Sequence, residues 1–221
     1  MPFHDRKDAG RKLAAALAGY KGRKAVVLAL PRGGVQVAAE VAAALASPLD
    51  LVLVRKIGVP FQPELAMGAV ANGATSTVVR NEDVIRMAGV SEQEFKAVCD
   101  TEMAEIERRR QRYLGGRVAV AVEGRPAIVV DDGVATGATT RAALRATRMR
   151  KPASLVLAVP VAPTESLAAL RREVDELVCL EDYENFGAIG FYYSDFRQIS
   201  DEEVIETLAR FPAQQGEESI A

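Results

Sequence analysis

Residues Val129–Thr140 read VVDDGVATGATT: the end of an apolar run, two adjacent carboxylates, then a turn made of glycine, alanine and threonine. Gly133 and Gly137 let the backbone turn tightly, so that successive N–H groups point inward. Thr136, Thr139 and Thr140 add hydroxyl donors ahead of a helix N-terminus, a favourable seat for a phosphate. Asp131 and Asp132 can only accept hydrogen bonds, which suits vicinal hydroxyls or the waters on a magnesium ion. A phosphate beside a diol describes a phosphorylated ribose. The stretch is not a Walker loop, because three residues rather than four separate its glycines and no lysine precedes the last threonines, and GxGxxG is absent.

The run that feeds this turn, Pro126-AIVV-Asp131, has counterparts at Lys24-AVVLAL-Pro31, Leu49-DLVLV-Arg55, Ser154-LVLAVPV-Ala162 and Glu176-LVCL-Glu181. Continuous rather than alternating hydrophobicity marks strands covered on both faces. Helical spacing lies around and between them at Asp5–Tyr20, Val35–Ala46 and Thr139–Met149. The predicted class is therefore α/β: a Rossmann-like open parallel sheet wrapped by helices. Ser91–Tyr113 opens on a capping box, Ser91 to Glu94, and carries Phe95, Cys99, Met103, Ile106 and Tyr113 on one stripe. It reads as a long amphipathic insertion over 91–114 that covers an edge or makes a dimer contact. Ser200 and Glu203 form a second capping box. Asn72-Gly73 between apolar flanks predicts antiparallel pairing of Leu65–Ala71 with Thr75–Val79, after a mobile loop at Gly58–Glu64. One domain over 1–213 is expected, with a polar tail at 214–221.

Bulk properties narrow the chemistry. With 221 residues, 49 % of them hydrophobic, the chain can bury a sizeable core. A net charge of −2 and a pI near 5.7 give no overall pull toward nucleic acid or anionic lipid. Arg141, Arg145 and Arg148 share a helix face that reads as a solvated surface. No run approaches the roughly eighteen apolar residues of a membrane span, and the charged N-terminus has no apolar leader core, so a cytoplasmic protein is expected. Cys99 and Cys179 lie far apart and read as reduced small hydrophobes, and the single histidine, His4, makes Ser-His-Asp catalysis or a His-based metal site a poor fit.

Three punctuated stretches follow strands directly: Leu30-PRGG, Arg55-KIG and Asp131-DGVATGATT. In open parallel sheets, ligands bind beyond the carboxyl ends of the strands, so these should converge on one crevice. Arg32, Arg55 and Lys56 would bring positive charge for a second, more anionic group.

VVDDGVATGATT resembles the phosphoribosyl-pyrophosphate motif of the type I phosphoribosyltransferases. LPRGG is similar to the family's pyrophosphate loop, and VRKIGVP to the basic strand that leads into its flexible loop. The likeness runs over roughly Lys24–Pro160, nearest to bacterial members of unassigned substrate. It implies the type I fold, with a flexible hairpin loop and a C-terminal hood at about 181–199. It also implies that Asp131 and Asp132 engage the ribose hydroxyls and a magnesium ion. Ala135, Thr136, Gly137, Ala138, Thr139 and Thr140 would wrap the 5′-phosphate, and Arg32, Gly33, Gly34, Arg55 and Lys56 the pyrophosphate. Catalysis would draw on Asp131, Asp132, Lys56 and Glu64, the last a candidate proton acceptor and the only acid of the loop. Some purine-using relatives carry an acid where this chain has Ala135, so that route to activating a base is missing.

The segment Asp182-YENFGAIGFYYSDF holds six aromatics, at Tyr183, Phe186, Phe191, Tyr192, Tyr193 and Phe196. One or two of them, assigned here as Phe191 and Tyr192, would stack on an acceptor base, and the rest would pin the segment to the sheet. The implied reaction is displacement of pyrophosphate from phosphoribosyl pyrophosphate by a nitrogenous base, with magnesium as cofactor, small molecules as partners, no nucleic acid, no membrane and a homodimer. A competing reading is a donor-sensing regulator without catalysis. Against it stand scattered basic residues and too little chain before Lys24 for a winged helix. An aspartate-dependent phosphatase fits poorly, because the acids are adjacent rather than spaced DxD.

Overall fold

The structure, a computed structural model, describes residues 1–72 and 77–211. In chain order it comprises α1 (Arg6–Ala16), β1 (Val26–Ala29), α2 (Gly34–Leu45), β2 (Leu49–Leu51), β3 (Val54–Val59), β4 (Gln62–Ala71) and β5 (Thr77–Arg80). These are followed by α3 (Glu82–Ala88), α4 (Glu92–Leu114), β6 (Pro126–Val130), α5 (Ala138–Met149), β7 (Ser154–Pro163), α6 (Thr164–Leu170), β8 (Glu176–Tyr183) and α7 (Asp201–Ala209). Five strands form a wholly parallel sheet in the order β2-β1-β6-β7-β8. The expected class is thus observed, and the continuous apolar runs have the expected cause. Alternate residues of β1 enter different layers: Val27 and Ala29 belong to the cluster that holds Leu13 of α1 and Val37 and Val41 of α2, while Val26 and Leu28 belong to the one that holds Leu144 of α5 and Leu170 of α6. A strand with two buried faces has no polar side to reveal an alternation.

Two sequence expectations are corrected. Leu49–Arg55 is not one strand, since β2 ends at Leu51 and the chain leaves the main sheet to start β3 at Val54. Both parts are apolar, so hydrophobicity carries no mark of the departure. Nor is Gly58–Glu64 a loop outside the strands. Val59 pairs with Gln62 at the tip of the β3–β4 hairpin, with register shifts at Ile57/Gly58 and Gly58/Val59. Those irregularities absorb Pro60 and Pro63, which a regular ladder would not tolerate.

A separate sheet, in the order β3-β4-β5, results. β4 and β5 pair antiparallel from Gly68↔Arg80 to Ala71↔Thr77, as the Asn-Gly signal implies. Gly73 and Thr75 of that expectation lie outside the described residues, as does the expected tail at 214–221. Asn72 plays a larger part than marking a turn. Its Oδ1 accepts from the Leu53 amide at 2.7 Å and its Nδ2 donates to the Leu51 carbonyl at 3.4 Å, which ties the end of β4 to the point where the sheets diverge.

Helix α4 packs on β3 and β4 and reaches α7. Its capping box is formed, and Phe95, Cys99, Ile106 and Tyr113 are buried as the stripe predicts. The Ser200–Glu203 box of α7 is formed as well. Tyr113 donates to Asp201 at 2.7 Å, joining the two helices. The arginine face of α5 is solvated but paired, with Arg145 on Glu173 and Arg148 on Asp175. Among the described residues, no helix is long and apolar enough to cross a membrane.

Leu144, with no exposed surface, anchors α5 and with it the turn that precedes the helix. Leu144→Ala is expected to lower the unfolding free energy by about 2–5 kcal/mol, read as an earlier urea midpoint with an unchanged slope.

Candidate functional site

β1 and β6 are neighbours, with Ala29 opposite Val130, so the turns that follow them leave the sheet side by side. The Leu30 amide donates to the Val130 carbonyl at 2.9 Å and extends that pairing. Beyond it the chains come closer still. A Cβ on Gly33 would lie 1.9 Å from Oδ2 of Asp132, and one on Gly34 would lie 2.8 Å from the Val130 carbonyl and 2.9 Å from the Asp131 Cα. The two glycines of LPRGG are therefore required by the acid pair of the adjacent strand. The Pro31–Arg32 peptide is cis.

The turn after β6 ends on Gly137, whose φ of 75° places it in the left-handed region as the N-cap of α5, with no side chain capping the helix. Among the described residues, no group accepts a hydrogen bond from the amides of Ala135 through Thr140. Thr136 and Thr139 are exposed. Thr140 is only 3 % exposed, so its hydroxyl belongs to the interior, a correction to its expected place among the outward donors. Unbonded amides at the positive end of a helix dipole favour an anion.

The two acids differ. Asp131 is half-buried, and its Oδ1 accepts from the Asp132 amide at 2.9 Å. Burial, then the neighbouring carboxylate, pushes its carboxyl well above the usual range. A cation arriving there would favour the ionised form. Asp132 is 8 % exposed. Its Oδ2 accepts from Nε of Arg6 at 2.7 Å, and its backbone carbonyl accepts from the Tyr193 hydroxyl at 2.6 Å. Among the described residues there is no cluster of three or more His, Cys, Asp or Glu able to hold a metal. Two carboxylates are oxygen donors of the kind a hard dication such as magnesium takes, which would need its remaining ligands from a substrate or water.

Each predicted cation faces a carboxylate. Arg32 lies 3.7 Å from Asp201, Lys56 donates to Glu64 at 2.7 Å, and Arg55 is bonded to Glu102 of α4, which raises its pKa. An open cleft of about 760 Å3 brings Arg55, Lys56 and Glu64 of the hairpin opposite Thr136, Ala138 and Thr139. Arg32, Gly33, Gly34, Asp131 and Asp132 do not line this cleft. The predicted residues thus form two groups, one at the crossing of the loops and one across the cleft, joined by the turn before α5.

Of the two aromatics assigned to an acceptor, Phe191 is 70 % exposed. Tyr192 stacks on Tyr183 and Phe186 with centroids at 4.5 and 4.9 Å, so its ring is engaged in packing. Sequence reasoning missed Arg6 and Tyr193 as neighbours of Asp132. No local signal could have found them, because Arg6 lies 126 positions and Tyr193 61 positions away along the chain.

Comparison with known proteins adds an independent line. A family model described as phosphoribosyl transferase domain matches residues 3–196. Two Mycobacterium tuberculosis proteins that carry a provisional name as phosphoribosyl transferases are each 47 % identical over 208 residues, covering 94 % of this chain and 46 % of theirs. The chain therefore spans about half the length of these curated relatives. A crystal structure of a Thermus thermophilus protein is 41 % identical, with a TM-score of 0.87 and coverage of 96 % of this chain and 100 % of that one.

The loop crossing leaves no room for a methyl group. Gly34→Ala is expected to cost roughly 1–3 kcal/mol of stability through displaced backbone, and a thermal melt matching that of the parent protein would contradict the close approach.

Proposed function

Because the chain belongs to the phosphoribosyl transferase domain family and has the type I fold, we propose that it transfers the 5-phosphoribosyl group from phosphoribosyl pyrophosphate to a nitrogenous base, releases pyrophosphate, and works with magnesium as a homodimer in nucleotide salvage. The observation that carries this reading is the row of unbonded amides at the start of α5, directly after two acids at the end of a central strand. An anion seat beside acceptors for a diol matches one end of the donor.

In this reading the amides of Ala135–Thr140 hold the 5′-phosphate, with the hydroxyls of Thr136 and Thr139. Asp131 and Asp132 take the ribose hydroxyls. Arg32, Arg55 and Lys56 exchange their carboxylate partners for the pyrophosphate oxygens, and the backbone of Gly33 and Gly34 passes beside it. Magnesium, when bound with the donor near Asp131 and Asp132, supplies positive charge to the leaving pyrophosphate. The clamp at both ends fixes the anomeric carbon for in-line attack by a base nitrogen as oxocarbenium character develops. Phe191, free on the hood, offers a face to the base. Glu64 is the proton acceptor; its 91 % exposed side chain is held on Lys56, which the pyrophosphate would draw away.

A catalytically silent donor sensor is the second reading. It is favoured by one observation, that the only acid of the hairpin tip is tied to a cation rather than aimed at an acceptor. Calorimetry with phosphoribosyl pyrophosphate and magnesium, followed by a screen of purines and pyrimidines for pyrophosphate release, separates the two. Binding with turnover is expected. Binding without turnover of any base would favour the sensor, and no binding would remove both.

Glu64→Gln is expected to lower turnover by about 10²-fold, the lower range for loss of a positioned proton acceptor. The same variant frees Lys56 and should tighten donor binding by about two- to fourfold, as suits an exposed pair. Asp131→Asn should weaken the donor by about tenfold or more in the same titration.

A further inference from the structure

Arg6 stands in the first turn of α1, far along the chain from the acids it meets, and only 6 % of it is exposed. A guanidinium at that depth is costly unless each face and donor is matched. Here three partners match it. Nε donates to Oδ2 of Asp132 at 2.7 Å, Nη1 donates to the Arg197 carbonyl at 2.9 Å, and the guanidinium carbon lies 3.9 Å from the centroid of the Phe196 ring. Phe196 in turn packs on Tyr193, whose hydroxyl holds the Asp132 carbonyl. One side chain therefore touches the acid at the end of β6 and two residues of the hood segment.

The alternative is a buried ion pair that serves only stability. Such pairs are weak stabilisers, and an apolar pair of similar volume would do as well. The surroundings of Asp132 point to a different use. Arg6 occupies Oδ2, and Gly33 lies against the same carboxylate, so that a Cβ there would fall 1.9 Å from Oδ2, 2.5 Å from the carboxyl carbon and 3.0 Å from Oδ1. The carboxylate is thus fixed from two sides in one orientation, with Oδ1 as its remaining acceptor.

Resting on the reading of Asp132 as a ribose contact, we infer that Arg6 is a positioning residue: it orients Asp132 toward the sugar diol and ties that orientation to the hood through Phe196 and Arg197. The hood segment, which would carry the acceptor, and the acid that reads the donor then share one rigid contact. Loss of Arg6 turns the Asp132 carboxylate loose and leaves its charge buried without a partner.

The test compares two fragments of the donor by calorimetry in the presence of magnesium, ribose 5-phosphate and inorganic pyrophosphate, on the full chain and on Arg6→Met, Arg6→Lys, Asp132→Asn and the double variant Arg6→Met with Asp132→Asn. Arg6→Met is expected to weaken ribose 5-phosphate about tenfold, the scale of one hydrogen bond to a charged group, and to leave pyrophosphate within about twofold. Arg6→Lys should recover part of the loss. In the double variant the two effects should not add, because each removes the same contact. A merely structural role predicts equal loss for both fragments, or additive losses, and either result overturns the inference, as does unchanged ribose 5-phosphate binding. Should Arg6→Met fail to fold, Arg6→Lys alone carries the comparison: a selective loss for ribose 5-phosphate supports the inference and an equal effect on both fragments overturns it. Parent protein that binds neither the intact donor nor ribose 5-phosphate would instead bring down the proposed function, and the inference with it.

Discussion

The site depends on one close approach. The turn after β1 and the turn after β6 cross so tightly that neither Gly33 nor Gly34 has space for a side chain against Asp131, Asp132 and the Val130 carbonyl. That crossing follows from the strand order, which makes β1 and β6 neighbours. It also explains the pairing of two glycines with two acids in separate parts of the sequence. The acids need the glycines absent of side chains, and the glycines hold the acids in place. The amides before α5 are attached to this crossing directly, since α2 begins immediately after one turn and α5 after the other, while the hairpin group faces them across the cleft.

Around the crossing, charge is arranged in advance. The start of α5 offers amides without partners, while Arg32, Arg55 and Lys56 each rest against a carboxylate. Such carboxylates act as internal counterions that spare the cations mutual repulsion, and under the proposed function an incoming pyrophosphate would replace them. The exchange is easiest at Lys56, whose partner is almost fully in water. It is harder at Arg55, bonded to a carboxylate on α4 whose side chain is 19 % exposed.

Much of the fold could be read from the chain. Four of the five apolar runs supply strands of the parallel sheet alone, the fifth, Leu49–Arg55, is divided between the two sheets, and both capping boxes are formed, because each signal is local: a two-sided strand is continuously apolar, and a cap needs only residues three apart. The short helices α3 and α6, at seven residues each, gave too few turns for a periodicity to register. The division at Val52–Leu53 was hidden because both sides of it are buried. Within the candidate site, the turn before α5, the acids and the cations were each legible as short contiguous stretches of sequence. What was not legible was whom they touch. Glu102, Asp201, Arg6 and Tyr193 reach the site only through tertiary packing, and the engagement of Tyr192 depends on two rings brought beside it by the hood.

Asn72 carries a consequence of its own. By bonding to Leu51 and Leu53 at once, its carboxamide ties down the chain at the place where the second sheet branches from the first. The acids follow a strand of one sheet and the lysine of the hairpin lies on the other, so the distance between them depends on how the two sheets are joined, at Asn72 and through α5, which packs on β3 and β4 as well as on β6 and β7. A substitution at Asn72 would act on that distance without altering any residue of the candidate site.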